Sequence, residues 1–233
     1  MRFSLLKPLF GVILLCTMMV SAAVAEPVII DSTKNKPIPS QLEKALNQMA
    51  AMPGFSCEFL QVVYFSDGAE QRYSGTLSIS RPGRFHWLYR HPYEQLYVSN
   101  GSGVWHYEAD LMQAERLESL DGVDPIAMKL LDGRVSQKDV ELLSFEKVGR
   151  DTTAYKIRIS QSQELLLALT AAGELRWIES EDVLGNRNRI LFMSIEKTAR
   201  PNDYFNFVPP EGVDVIKMAG PLVEPVSNFK RVE

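Results

Sequence analysis

Tyr73-Ser74-Gly75-Thr76-Leu77-Ser78-Ile79-Ser80 is the stretch whose reading decides the fold. Tyr73, Gly75, Leu77 and Ile79 fall on one side of a period-two pattern, and Ser74, Thr76, Ser78 and Ser80 on the other. Such alternation marks a strand with one face on a core and one toward water. Pro82-Gly83 turns the chain, and Phe85, Trp87 and Tyr89 resume the apolar side in a third strand. Upstream, Phe55, Cys57, Phe59, Val63 and Phe65 form the same stripe in a first strand, closed by the turn at Asp67-Gly68. Downstream, Leu96 to Ser99, Asn100-Gly101 and Val104 to Tyr107 read as a hairpin with a two-residue type I′ turn. Further strands are expected near 140–148, 153–160, 164–170, 174–182, 187–197 and 204–208. About ten strands in series with short turns make an antiparallel meander.

Two helices interrupt this pattern. Ser40-x-x-Glu43 has the form of a capping box, and Leu42, Ala45, Leu46, Met49 and Met52 lie on one stripe behind it. Met52-Pro53-Gly54 stops that helix. Asp124-Pro125 opens a second, Ile126 to Leu131, apolar nearly all round and stopped by Asp132-Gly133. The expected fold is mainly β with an α lid: an incomplete antiparallel β-barrel, one strongly curved sheet covered by short helices. Two short helices cover part of such a face. Side chains or a ligand cavity must fill the rest.

The first 25 residues carry Arg2 and Lys7, an apolar run from Leu9 to Val20 and the small-residue ending Ala23-Val24-Ala25. This is the pattern of a signal peptide cleaved after Ala25. The apolar run is too short to span a bilayer. Leu15 precedes Cys16 where lipid attachment needs a small residue, so Cys16 reads as part of the apolar region. Cleavage removes two basic residues and moves the formal charge from -4 to -6. An acidic chain is a poor nucleic-acid binder. Cys57 would remain as a lone buried thiol. Residues 26–39 contain Pro27, Pro37 and Pro39 and read as a flexible leader. Residues 218–233 carry Pro221 and Pro225 and read as an extended tail.

Catalytic and metal motifs are not found. His86 and His106 alternate with aromatics and are expected on the outer face, and no histidine has a carboxylate at helical ligand spacing. Gly101-Ser102-Gly103 is not a nucleophile elbow. No glycine-rich phosphate loop occurs, so no cofactor and no enzyme activity are expected. Arg81 continues the inward series, and a guanidinium there needs acceptors. Parity leaves two readings: Arg81 in solvent beyond the turn, or Arg81 paired with carbonyls at a helix end or with ligand oxygens. Phe59, Leu77, Ile79, Phe85 and Trp87 from the sheet, with Leu46, Met49 and Met128 from the helices, read either as an ordinary aromatic core or as the wall of an apolar cavity compatible with acyl chains. Long aromatic and unbranched side chains give an adaptable apolar wall.

Arg81-Pro82-Gly83-Arg84-Phe85-His86-Trp87, behind an export signal, resembles the outer-membrane lipoprotein carrier family, LolA. Trp105-His106-Tyr107-Glu108-Ala109-Asp110-Leu111-Met112-Gln113 and Phe205-Asn206-Phe207-Val208-Pro209-Pro210-Glu211-Gly212-Val213-Asp214 extend the resemblance across about 42–215. It implies a carrier domain at 40–217 and a monomeric periplasmic chaperone. Its cargo would be acylated lipoproteins, received from an inner-membrane ABC-type release complex and delivered to an outer-membrane receptor. The resemblance also implies that Arg81 hydrogen-bonds the helical lid and gates it. The alternatives are an outer-membrane receptor of the same fold, a periplasmic lipid-sensing regulator and an exported β-barrel enzyme.

Overall fold

The computed structural model describes residues 37–117, 125–159 and 164–216. The signal peptide, Cys16, most of the leader and the tail lie outside the described residues. Twelve strands form one sheet: β1 (Gly54–Tyr64), β2 (Glu70–Ser80), β3 (Arg84–His91), β4 (Gln95–Asn100), β5 (Val104–Glu108), β6 (Gln113–Leu117), β7 (Val140–Val148), β8 (Thr152–Ile159), β9 (Glu164–Thr170), β10 (Leu175–Glu181), β11 (Arg187–Glu196) and β12 (Asp214–Ile216). Their spatial order is β12-β6-β5-β4-β3-β2-β1-β11-β10-β9-β8-β7. β12 and β7 are the two edges, so the barrel is incomplete. Every pairing is antiparallel except β12 with β6.

Register fixes the faces. Phe59 lies opposite Phe192 and Gly75, Leu77 opposite Trp87, and Trp87 opposite Tyr97. Cross-strand partners share a face, so these residues make up the inner side. α1 (Ser40–Ala51) and α2 (Pro125–Leu131) pack on that side, and Leu42, Leu46, Met49, Met128, Leu130 and Leu131 join the sheet residues in one core.

Four local expectations are corrected. The capping box at Ser40 does not form. Pro39 occupies the N-cap, its carbonyl accepts the Glu43 N–H, and Ser40 is already helical. A box of this kind closes instead at Ser136 and Asp139. The β4–β5 connection is not a two-residue turn: Ser99 and Val104 are the last pair of the hairpin, and Asn100 Oδ1 accepts the Ser102 N–H in the loop between them. Only Gly101 there takes a positive φ. Residues 204–208 are not a strand: Asn202–Phe205 form a 3-10 turn across the outer face of β3 and β4, with Phe205 buried beneath it.

His106 is the fourth correction. His86 lies on the outer face against Tyr204, as parity predicts. In β5 the outward aromatics are Trp105 and Tyr107, both covered by Phe207. Alternation therefore turns His106 inward, opposite Tyr97. An aromatic stripe marks a covered face without saying which face it is.

Candidate functional site

α1 crosses the inner side tied at both ends. Near its start, Tyr155 Oη donates to Gln41 Oε1 at 2.9 Å, and Gln41 Nε2 donates to the Thr170 carbonyl at 2.6 Å. At its end stands Arg81, one residue past β2. Arg81 Nη1 donates to the carbonyls of Met49 and, at 2.5 Å, Met52. Nη2 donates to the Leu131 carbonyl at 2.6 Å. One planar fork thus takes orphan carbonyls from the C-terminal ends of both helices, where the backbone dipoles favour a cation.

Gly133 and Asp132 complete this clasp. Gly133 follows α2 in a left-handed conformation, φ 69°, and its N–H donates to the Leu130 carbonyl. A Cβ there would stand 2.7 Å from Arg81 Cζ, so the bare backbone makes room for the guanidinium. Asp132 is buried, accepts the Gly83 N–H at 3.2 Å and pairs with Arg134 Nε at 2.6 Å. Burial holds the Arg81 pKa below its ordinary value, and the Asp132 carboxylate offsets only part of that. Burial also pushes the Cys57 thiol up to about 12, as suits a packing residue.

The expected cavity residues come together beside the clasp. Phe59, Leu77, Ile79, Phe85, Trp87, Leu46, Met49 and Met128 are all buried in the shared core. In this conformation they pack mostly on one another. Ile79, Phe85 and Met128 border a small space of about 70 Å³, and Met49 alone of the set reaches a larger one. That larger cavity, about 650 Å³, opens between the C-terminal half of α1 and β10–β11. Met52, Phe55, Leu131, Leu175 and Phe192 wall it, and Glu174, Arg176 and Lys197 stand among its lining residues. The volume falls in the usual ligand-site range. The candidate set missed Phe192 and Leu175. The signal for Phe192 was its place in a late alternating strand, which the register sets opposite Phe59.

Beyond Trp87 the inner face changes character. Tyr89 Oη donates to Gln61 Oε1, and Gln61 Nε2 donates to Asn188 Oδ1, both at 2.9 Å. Tyr97 stacks on His106 with centroids 4.2 Å apart, and His106 Nδ1 lies 2.9 Å from Glu115. Burial pushes the Tyr89 and Tyr97 hydroxyls up, so both stay protonated donors. Among the described residues, no group of three or more His, Cys, Asp or Glu side chains could hold a metal ion.

An open sheet with two helices clasped across an apolar inner face defines an incomplete barrel with a helical lid. The family model for outer membrane lipoprotein carrier protein LolA matches residues 50–208, and the chain belongs to that family. It is 36% identical over 153 residues to an outer-membrane lipoprotein carrier protein of Nitrosospira multiformis, covering 63% of this chain and 73% of that one. It is also 36% identical over 162 residues to one of Methylibium petroleiphilum, covering 68% and 80%. A solved LolA superfamily structure from Nitrosomonas europaea is 17% identical over 72% of this chain and 96% of that one, with a TM-score of 0.42.

Proposed function

We propose that this protein is a periplasmic chaperone for lipoproteins. It would take acyl chains from lipoproteins leaving the inner membrane and deliver them to an outer-membrane receptor. Residues 40–217 are the carrier domain in this reading, and the signal peptide ends at Ala25. The inner-membrane source would be an ATP-driven release complex. Transfer breaks no covalent bond, so the carrier itself performs no catalysis.

The observation that carries this reading is the Arg81 clasp. Hiding an acyl chain from water is worth about 0.8 kcal/mol per methylene, so tight binding comes easily and release is the harder task. A lid held by one arginine and three carbonyls can close again without the chain once the cargo leaves. Arg81 is therefore the gating residue. Phe59, Leu77, Ile79, Phe85, Trp87, Leu46, Met49 and Met128 form the wall that parts to admit cargo, with the cavity beside α1 as the point of entry.

The test is co-purification. The tagged chain, drawn from periplasmic extract, is expected to bring triacylated lipoproteins with it, and its own mature mass should begin at Glu26 without attached lipid. Lipid on the chain itself would favour the receptor reading. A lipid-free chain that captures no acylated protein would overturn the carrier reading.

A further inference from the structure

Trp87 is buried to 1% exposure on the inner face, yet among the described residues nothing accepts its indole Nε1–H. A buried donor without an acceptor costs free energy that natural cores rarely leave unanswered. Its neighbours do not share the problem, since Tyr89 has Gln61 and Gln61 has Asn188.

The position of Trp87 gives the orphan donor a meaning. β3 points Phe85, Trp87 and Tyr89 inward in that order. Phe85 borders Ile79 and Met128 under the helices. Trp87 meets Phe59 edge-on at 5.7 Å and stacks on Tyr89 at 5.9 Å. Tyr89 begins the hydrogen-bonded half of the face. Trp87 therefore stands where the apolar wall gives way to polar groups. An acylated molecule has the same sequence of chemistry: hydrocarbon, then an ester carbonyl, then a polar backbone. Its junction offers acceptors, and an indole is a donor only. A hydroxyl at this point could turn to another partner, whereas the indole N–H waits for an incoming acceptor.

We propose that Trp87 Nε1–H donates to an ester carbonyl of the bound acyl group, and so sets how deep the chains lie in the open cavity. This rests on the carrier reading and adds a specific polar contact to it. The test compares two synthetic lipopeptides of equal chain length and identical peptide, one a diacyl ester and one a dialkyl ether lacking both carbonyls. The full-length mature protein is expected to bind the ester several-fold more tightly. Trp87→Phe should lose the preference, its ester-to-ether affinity ratio falling by up to about tenfold whatever its overall affinity. In ¹⁵N-labelled wild type, the Trp87 indole N–H resonance, assigned by elimination with Trp105→Phe and Trp177→Phe, should move downfield with the ester and not with the ether. That measurement does not depend on Trp87→Phe folding. Equal affinity of wild type for both lipopeptides, an ester preference retained by Trp87→Phe, or an unmoved resonance would overturn the assignment. Wild type that binds neither lipopeptide would instead overturn the carrier reading beneath it.

Discussion

The inner face of the sheet has two halves, and they answer burial differently. Under the helices, Phe59, Leu77, Ile79 and Phe85 belong to the apolar core, and the polar groups stand at its border: Arg81 and Asp132 by the helix C-terminal ends, Gln41 and Tyr155 at the start of α1. Beyond Trp87, Tyr89 hydrogen-bonds Gln61, His106 Nδ1 pairs with Glu115, and Tyr97 packs between Tyr89 and His106. The first half has few directional bonds, which suits a wall that must part and reseal in the proposed function. The second is cross-linked in plane and holds the sheet in shape while that happens. Movement and rigidity thus lie side by side on the same strands.

The largest expected effect would break this comparison if it failed. Phe59→Ala removes a fully buried ring that packs on both Trp87 and Tyr89. It should cost about 3–5 kcal/mol in urea unfolding. Tyr97→Ala, at a half-buried site in the polar half, should cost less than about 2 kcal/mol. Equal losses would mean that the two halves are energetically alike.

An intermediate effect tests the border. Arg81→Leu removes three charge-assisted bonds to the helix ends. Hydrogen bonds to a charged group contribute about 1.5–3 kcal/mol each at most, enough to shift a two-state lid tenfold or more toward open. Amides of α1 and α2 should exchange at least tenfold faster, while those of β1 and β2 keep their protection. Cargo should still enter but pass poorly to the receptor. Unchanged exchange in the helices together with normal transfer would remove Arg81 from gating.

Much of this was legible in the chain. The alternation from Phe55 to Tyr89 fixed the early strands and the inner face, because a period of two leaves little freedom there. One edge, β7, lies where a strand was expected, at 140–148, but the other was not legible. β6 is Gln113-Ala114-Glu115-Arg116-Leu117, with a single fully buried residue, Ala114, and it pairs with a three-residue strand nearly a hundred positions later. No local pattern announces a parallel pairing of Gln113 with Asp214. Residues 204–208 misled because their aromatics are buried by lying across the sheet rather than within it. The Ser40 box misled because Pro39 was equally suited to begin the helix, and the first carbonyl it offered was enough. For Arg81, parity alone left solvent and helix carbonyls as open choices. The acceptors belong to residues 49, 52 and 131, and only the tertiary fold brings them together.

The smallest expected effect sharpens the view of the clasp. Gly133→Ala places a Cβ against Arg81 Cζ and forces an L side chain into a left-handed conformation. It should cost about 1–2 kcal/mol in thermal unfolding. The backbone part of that cost should persist in an Arg81→Leu background, and the steric part should vanish. A double-mutant cycle should therefore show coupling of about 0.5 kcal/mol or more. Strict additivity would mean that Gly133 serves only the helix end.

Every acceptor that Arg81 uses is a main-chain carbonyl. The latch reads the path of the backbone and is blind to the side chains at 49, 52 and 131. Those positions can be exchanged to suit longer, shorter or bulkier hydrocarbon without unfastening the lid, provided both helices still end where they do. If the wall binds cargo as proposed, its preference could be altered without touching closure, and a designer could retune the one while leaving the lock alone.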